Sequence, residues 1–152
     1  MGVADRLEEL GLVLPAVAAP AGAYVPAVVA GDLVYTAGQL PFVDGALARA
    51  GVLGIDVEVD EAADLAAVAA LNALAAVASV LGGLDRVTRV VKVTGFVASA
   101  PGFTEQPRVI NGASQVLVDV FGEHGRHARS AVGVAALPLG SPVEVELVVQ
   151  FR

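Results

Sequence analysis

The end of the chain alternates strictly between apolar and mostly polar side chains. Every second residue from Val143 to Phe151 is apolar, so these side chains share one face of an extended segment. The other face carries two carboxylates and an amide, from Glu144, Glu146 and Gln150. This alternation predicts a strand that packs one face on a hydrophobic core and leaves the other on solvent or on an interface.

An apolar run that starts at Arg129 precedes this strand, and the Leu-Pro-Leu-Gly sequence 137–140 lies between the two. Proline and glycine at such a point are typical of a tight turn. The pattern therefore predicts that residues 129–151 form a final antiparallel hairpin.

Two segments follow the helical period instead. In 61–81 the few polar residues lie within roughly 80° of one another, which predicts a helix buried on most sides, with Asp60 as its N-cap. A membrane span is disfavoured because alanine is weakly lipophilic and because Asp64 and Asn72 interrupt the stretch. A second helix follows Thr104, its predicted cap, and ends at Gly122 after one continuous apolar stripe.

The remaining pattern places strands around these helices. It predicts a short helix over 4–11, a hairpin within 24–41 that turns at Gly31-Asp32, and an inner strand over 86–99. The order of elements favours an α+β fold, a mostly antiparallel sheet with two helices packed on one face.

Length and composition narrow the class of protein. The 152 residues fit a single domain, 1–152, and a hydrophobic content of 56% predicts apolar contacts between subunits. The net charge of −7 disfavours nucleic acid as a partner, and the absence of cysteine excludes thiolate chemistry. The N-terminal residues lack the basic and apolar regions of a signal peptide, so we expect a cytoplasmic protein that binds no membrane.

Arg129 and Glu144 are the main candidates for chemistry. Each one alone is most simply a solvated side chain of a strand. Together they suit a small anionic substrate that is attacked by water, because arginine binds a carboxylate bidentately and a glutamate can activate water. A hairpin centred near Leu139 would place Arg129 opposite Val149, however. Sharing a pocket would then require a bulge, a long side-chain reach or a neighbouring subunit.

The two histidines give a weaker signal. His124 and His127 lie in one loop without an obvious third ligand, so a metal site is improbable and a polar loop is the default interpretation. No phosphate-binding glycine motif follows a strand either.

Four stretches, in this order, resemble the RidA/YjgF family, whose members are often labelled endoribonuclease L-PSP or translation-inhibitor-like. They are AYVPAVVAGDLVYTAGQLP, RVVKVTGFVAS, FTEQPRVINGASQVLVDVFG and, the most specific, ARSAVGVAALPLGSPVEVE. The resemblance covers about residues 20–151 and leaves 1–20 as an N-terminal helical extension. Segment 41–60 is longer than in compact members, which is typical of a longer-chain subgroup.

The resemblance implies a chorismate-mutase-like sandwich that assembles into a homotrimeric barrel with a cleft at each subunit boundary. It also implies hydrolysis of enamine/imine intermediates such as 2-aminoacrylate to 2-oxo acids and ammonia, without a cofactor. Arg129 is expected to hold the substrate carboxylate and Glu144 to orient the water. Tyr24 and the backbone of Gly38 are expected to be walls of the pocket.

Two further positions complete the implied site. Asn111 matches an asparagine expected to reach the neighbouring cleft, and Ala131 stands where some relatives have cysteine. Ala37 and Gly133 depart from the family pattern, so the resemblance implies the fold and leaves the substrate open. A non-catalytic trimer that binds small carboxylates is the alternative hypothesis, and an endoribonuclease is a weaker one.

Overall fold

The computed structural model describes all residues, 1–152, as helices, strands and short connections. The three helices and seven strands are, in chain order, α1 (Val3–Glu9), β1 (Ala27–Ala30), β2 (Leu33–Thr36), β3 (Phe42–Val43), β4 (Ala46–Leu47), α2 (Val59–Leu81), β5 (Val87–Ala98), α3 (Gln106–Phe121), β6 (Ala128–Val134) and β7 (Val143–Phe151). Two 3-10 turns, Gly122–Gly125 and Pro138–Gly140, flank β6.

Five strands form one sheet in the order β1-β2-β7-β5-β6, and β3 pairs with β4 apart from it. Every pairing in the large sheet is antiparallel except that of β5 with β6. Helices α2 and α3 pack on each other and on one face of this sheet. The predicted α+β class, with two helices on one face of a mostly antiparallel sheet, is confirmed.

The predicted final hairpin is wrong. β6 and β7 do not pair with each other, because both lie against β5, the longest strand, one on each side. β6 runs parallel to β5 because α3 connects the two strands as a crossover, a connection that parallel neighbours require. The chain between β6 and β7 therefore passes around the end of β5 instead of forming a tight turn.

Helix α2 is the buried helix that the sequence predicts, although it begins earlier. Val59 is its first residue, Glu58 precedes it, and no side chain caps the start, so the predicted cap Asp60 is wrong. Gly82 ends it in the left-handed conformation, φ 77°. By length and composition α2 is apolar enough to cross a membrane, but 61% of its most apolar stretch is buried inside the fold.

Close contacts of the main chain determine how α2 and α3 pack on each other. A Cβ atom at Gly112 of α3 would collide with the main-chain carbonyl of Ala63 in α2, so the helices can pack this closely only with glycine there. α3 begins at Gln106 after Glu105, which contradicts the predicted cap at Thr104. The buried Asn72 of α2 donates its amide to the carbonyl groups of Leu40 and Phe42, at 3.0 and 3.1 Å, which fixes the segment after β2.

The N-terminal region holds the predicted short helix and then an extended segment. α1 ends at Glu9, earlier than predicted, and Gly11 follows in the left-handed conformation. From Val13 to Val25 no main-chain group bonds another main-chain group. This Pro- and Ala-rich segment passes over β3 and reaches the cavity described below.

Candidate functional site

Glu144 lies at the wall of a small cavity on the sheet face that points away from the helices. The cavity has a volume of about 250 Å³. Most of its lining is apolar or main chain, contributed by the N-terminal segment, the chain after β2 and the turn before β7: Ala18, Ala19, Pro20, Ala21, Tyr24, Pro26, Gly38, Gln39, Leu40, Phe42, Pro138 and Leu139. The cavity therefore brings together three residues that the sequence places there: Tyr24, Gly38 and Glu144.

The chain after β2 is held against β7 in a way that places Gly38 on Glu144. The hydroxyl of Thr36 accepts a hydrogen bond from the amide of Leu147 at 3.0 Å. Gln39 and Val145 then exchange two main-chain hydrogen bonds, at 2.8 and 2.9 Å. Gly38 lies between these anchors, and a Cβ atom there would lie only 2.6 Å from Oε2 of Glu144. Any side chain at 38 would displace the carboxylate.

Tyr24 closes the cavity from the side of the N-terminal segment. Its hydroxyl accepts a hydrogen bond from the amide of Ala21 at 3.2 Å, and its ring lies half-exposed at the rim. This bond is the only one that holds the main chain between Val13 and Val25 to a side chain or to another main-chain group. The sequence resemblance gave Tyr24 as a wall but gave no role to residues 18–21, which form the other wall.

The Glu144 carboxylate has the properties of a base. Burial raises its pKa, and the neighbouring charge of Glu146 on the same sheet face raises it further. No arginine or lysine lies within ion-pair distance of it in the chain. A half-buried carboxylate without a cation partner accepts a proton more readily than an ordinary glutamate does.

Arg129 lies elsewhere, on the helix-facing side of β6. It is directly opposite Val93 of β5, whose side chain is buried under α3. Its Nη1 donates to Oδ1 of Asn111 at 2.8 Å and to Oγ of Ser114 at 3.2 Å. Its Nη2 donates to the Pro107 carbonyl at 3.3 Å. All three acceptors are on α3 and none is a carboxylate.

The partners of Arg129 leave part of its guanidinium uncommitted. Three of the five N–H donors are used within the chain, so Nε–H and one Nη2–H have no protein partner. Two N–H groups on one guanidinium are the arrangement that binds a carboxylate bidentately. The sequence resemblance placed Asn111 towards a neighbouring cleft and did not predict its hydrogen bond to Arg129. Ser114 was missed, since nothing in the sequence distinguishes it from a surface serine.

The next residues on this face of β6 are small. Ala131 lies opposite Gly95, and Gly133 lies opposite Val97. A Cβ atom at Gly133 would lie 2.8 Å from the Gln106 amide nitrogen and 3.1 Å from the Ser99 hydroxyl. The strip of β6 beside Arg129 therefore presents main chain and one methyl group, next to a polar amide from the start of α3.

Histidine is part of this second group of residues. Nε2 of His127 lies 2.8 Å from Oγ of Ser114, and its Nδ1 lies 2.6 Å from the carbonyl oxygen of Gly125. The structure contains no cluster of three His, Asp or Glu residues able to bind a metal ion. His127 is thus a hydrogen-bonded residue next to Arg129, not the free loop residue that its sequence context indicates.

Comparison with known proteins decides the family. A family model described as "YjgF/chorismate_mutase-like, putative endoribonuclease" matches residues 4–151. The chain belongs to the YjgF family. Protein TCP17 of Trypanosoma cruzi is 49% identical to this YjgF protein over 151 residues, which cover 99% of this chain and 94% of TCP17.

Solved structures agree with this assignment. A structure from Shewanella oneidensis is 34% identical, covers 99% of this chain and 100% of its own, and superimposes with a TM-score of 0.96. TdcF from E. coli, solved with bound serine, is 26% identical, covers 92% of this chain and 96% of its own, and has a TM-score of 0.63. The chorismate-mutase-like fold that the resemblance implied is confirmed.

In this YjgF protein the six predicted site residues fall into two groups on opposite faces of the sheet. Tyr24, Gly38 and Glu144 are on the face away from the helices, and Arg129, Asn111 and Ala131 are on the helix side of the β6 edge. Glu144 pairs with Phe96, three residues along β5 from the partner of Arg129. Neither a bulge nor side-chain reach brings Arg129 to Glu144 within one chain.

Proposed function

We propose that this YjgF protein hydrolyses small 2-imino acids to 2-oxo acids and ammonia, in sites that each combine residues of two copies of the chain. The observation that carries the proposal is the pair of half-sites. One has a carboxylate-binding guanidinium with free donors, and the other has a carboxylate of raised pKa in a cavity. Each supplies what the other lacks.

The chemistry needs little beyond these two groups. An imine carbon is already electrophilic, so catalysis consists mainly of holding the anion and placing a water. Glu144 removes a proton from the water while the water oxygen bonds to the imine carbon and the C=N π electrons move to nitrogen, and Glu144 then gives this proton to nitrogen, which forms an amino alcohol. In the collapse Glu144 takes the hydroxyl proton as the C=O double bond forms and the C–N bond breaks, and it passes that proton to the nitrogen, which leaves as ammonia.

The exposed sheet face supports an assembly that joins the half-sites. Val28, Tyr35 and Val132 lie on the face that carries Glu144, and they are 50%, 44% and 43% exposed. An apolar face of this kind is typical of a surface that another protein covers. We propose a homotrimer whose copies bury this face and bring the β6 edge of one copy to the Glu144 cavity of the next.

Other features support a small carboxylate as the substrate. TdcF was solved with serine, a small molecule with a carboxylate and an amino group. The cavity volume of about 250 Å³ suits a ligand of that size. The net charge of −7 disfavours RNA as a substrate in spite of the endoribonuclease label of the family.

Mixing two inactive variants tests the shared site. Arg129→Ala and Glu144→Gln should each abolish hydrolysis of 2-aminoacrylate that a dehydratase generates in the assay. After joint unfolding and refolding in equal amounts, a site that takes Arg129 from one copy and Glu144 from the next is intact in about one quarter of cases. We expect about that fraction of the wild-type rate.

A second mixture tests whether mixing two variants raises activity merely by stabilising the assembled protein. Asn111→Ala and Arg129→Ala damage the same half-site, so their mixture should gain no activity beyond that of Asn111→Ala alone. Recovery in this control, or no recovery in the first mixture, would contradict a site shared between copies. If the wild type binds a 2-oxo acid through Arg129 but releases no product faster than the uncatalysed reaction, the alternative of a non-catalytic carboxylate binder is correct.

A further inference from the structure

A chain of hydrogen bonds leads from Arg129 into the loop before β6. The Gly125 carbonyl can only accept, so the hydrogen in its 2.6 Å bond with His127 lies on Nδ1. In a neutral ring Nε2 then has a lone pair and accepts from the Ser114 hydroxyl at 2.8 Å. The same Ser114 oxygen accepts from Nη1 of Arg129 at 3.2 Å. Every donor in the chain therefore points in one direction, from Arg129 to Gly125.

The surroundings of His127 keep it in the neutral form that this chain requires. Burial lowers its pKa most, the Gly125 hydrogen bond opposes this, and the charge of Arg129 lowers it again. Arg89 of β5 and Arg126 line the cleft beside the ring and are also cationic, and Arg126 is paired with Glu123 at 3.1 Å. From α3 the ring's hydrogen-bond partner is the neutral Ser114.

Neutral His127 matters because protonation would reverse one bond of the chain. Nε2–H would then donate to Ser114, whose oxygen would receive two donors, while its own hydrogen would have to point elsewhere. A second positive charge would also lie beside the guanidinium. The Ser114 oxygen would still accept from Arg129, but it would also accept from the cationic ring, and repulsion between the two charges would shift the guanidinium away from its present position.

We propose that Ser114 and His127 are positioning residues, which hold the guanidinium of Arg129 so that its free N–H groups face the substrate carboxylate. The proposal rests on the function proposed above. Neither residue touches the substrate. Ser114 and His127 increase the affinity for the substrate carboxylate equally in the ground state and in the transition state.

Kinetics of four variants test this role. Ser114→Ala and His127→Leu should raise KM about three- to tenfold, the equivalent of one neutral hydrogen bond, with kcat nearly unchanged. Ser114→Thr keeps the hydroxyl and should restore the wild-type KM. His124→Leu changes an exposed histidine of the same loop that makes no hydrogen bond, so it is the matched control and should leave both constants unchanged.

Nitrogen NMR of the histidine ring measures which ring nitrogen of His127 is protonated. A purely structural role of Ser114 would leave this protonation state unchanged. At pH 7.5, Nε2 of His127 should resonate as an unprotonated nitrogen and Nδ1 as a protonated one. Ser114→Ala removes the donor that favours the neutral ring, so the pKa of His127 should rise. A ring protonated on Nε2 in the wild type, or a wild-type KM in Ser114→Ala, would overturn the proposal.

Direct binding separates this proposal from the proposed function. The dissociation constant of 2-oxobutanoate, measured by NMR titration, should rise in Ser114→Ala by the same factor as KM. If the wild type binds 2-oxobutanoate but hydrolyses no imine, the proposed reaction fails, and the ratio of the two dissociation constants still decides the positioning role. If the wild type binds no 2-oxobutanoate, both proposals fail.

Discussion

Gly38 and Glu144 are in direct contact, so the main chain of one residue sets the position of the other's carboxylate. The space between them is too small for a methyl group, because a Cβ at 38 would lie 2.6 Å from Oε2 and 2.8 Å from the carboxyl carbon. The carboxylate is the end of a flexible side chain and can move away. A side chain at 38 would therefore change catalysis more than stability.

We expect Gly38→Ala to fold normally and to lower kcat about 10- to 100-fold, because the displaced Glu144 no longer reaches the attacking water. Gly2→Ala is the matched control, since its Cβ would lie 2.9 Å from the Asp85 carboxylate at the surface, far from the site. Steady-state kinetics and the urea midpoint of both variants check this. Equal kcat in Gly38→Ala and in the wild type would refute a base at Glu144.

The pKa of Glu144 predicts the pH dependence of the reaction. A base must be ionised to act, and the pKa of this carboxyl is raised by burial and by Glu146. Activity should therefore fall as the pH drops through a value above that of an ordinary glutamate. Glu146→Gln removes the like charge, lowers the pKa of Glu144 and should move the acidic limb of the kcat/KM profile to lower pH. An unmoved or upward-shifted limb would assign it to another group.

At the scale of elements, the contact between α2 and α3 decides how the Arg129 half-site is built. α3 supplies every protein acceptor of the Arg129 guanidinium, so its distance from β6 matters, and that distance depends on how closely α3 packs on α2 and on the sheet. Gly112 and Gly95 permit this packing. The first faces the main chain of Ala63, and the second faces Ile110.

Gly112→Ala should destabilise the protein by about 1–3 kcal/mol, since the new methyl group meets a main-chain carbonyl that cannot move without shifting the helix. The sign of this change in stability is informative, because a glycine-to-alanine substitution inside a helix otherwise stabilises a protein by up to about 1 kcal/mol. Urea unfolding measures it, with the exposed Gln115→Ala of α3 as control. A stabilised Gly112→Ala would show that the two helices have room to separate.

At the scale of the whole molecule, the proposed reaction depends on assembly, because the two half-sites lie on opposite faces of the sheet. A single chain of 15.2 kDa contains both halves without bringing them together. In the proposed homotrimer, further copies cover the exposed sheet face and combine the halves. We therefore expect the apolar residues on that face to be necessary for activity, although none of them takes part in the reaction.

Tyr35→Glu, on this face, should dissociate the proposed trimer because each copy would bury a carboxylate without a cation partner in the interface. Sedimentation should show three times the mass of one chain for the wild type and a single chain for the variant. Hydrolysis should be lost together with the larger species. An active monomer would contradict the shared site, and Val43→Glu, exposed on the separate β3–β4 pair, is the control.

The sequence by itself determined most of the helices and strands, and it supplied the candidate site residues. Strict alternation from Val143 to Phe151 fixed which side of β7 is buried, because successive side chains of a strand must point to opposite faces. The apolar character of 61–81 likewise determined a buried helix. The ordered motifs determined the family, and the resemblance implied Tyr24, Gly38, Asn111, Arg129 and Glu144 as site residues.

Only the tertiary structure decided which of these residues meet. The Pro-Gly turn indicates a hairpin equally well whether its strands pair or not, because a local signal does not carry strand order. The insertion of β5 between β6 and β7 is a long-range pairing, and it separates Arg129 from the strand of Glu144 by one whole strand. The Ser114–His127 contact joins α3 to the loop that follows it, at a spacing that matches neither the helical nor the strand period, so the sequence pattern does not indicate it.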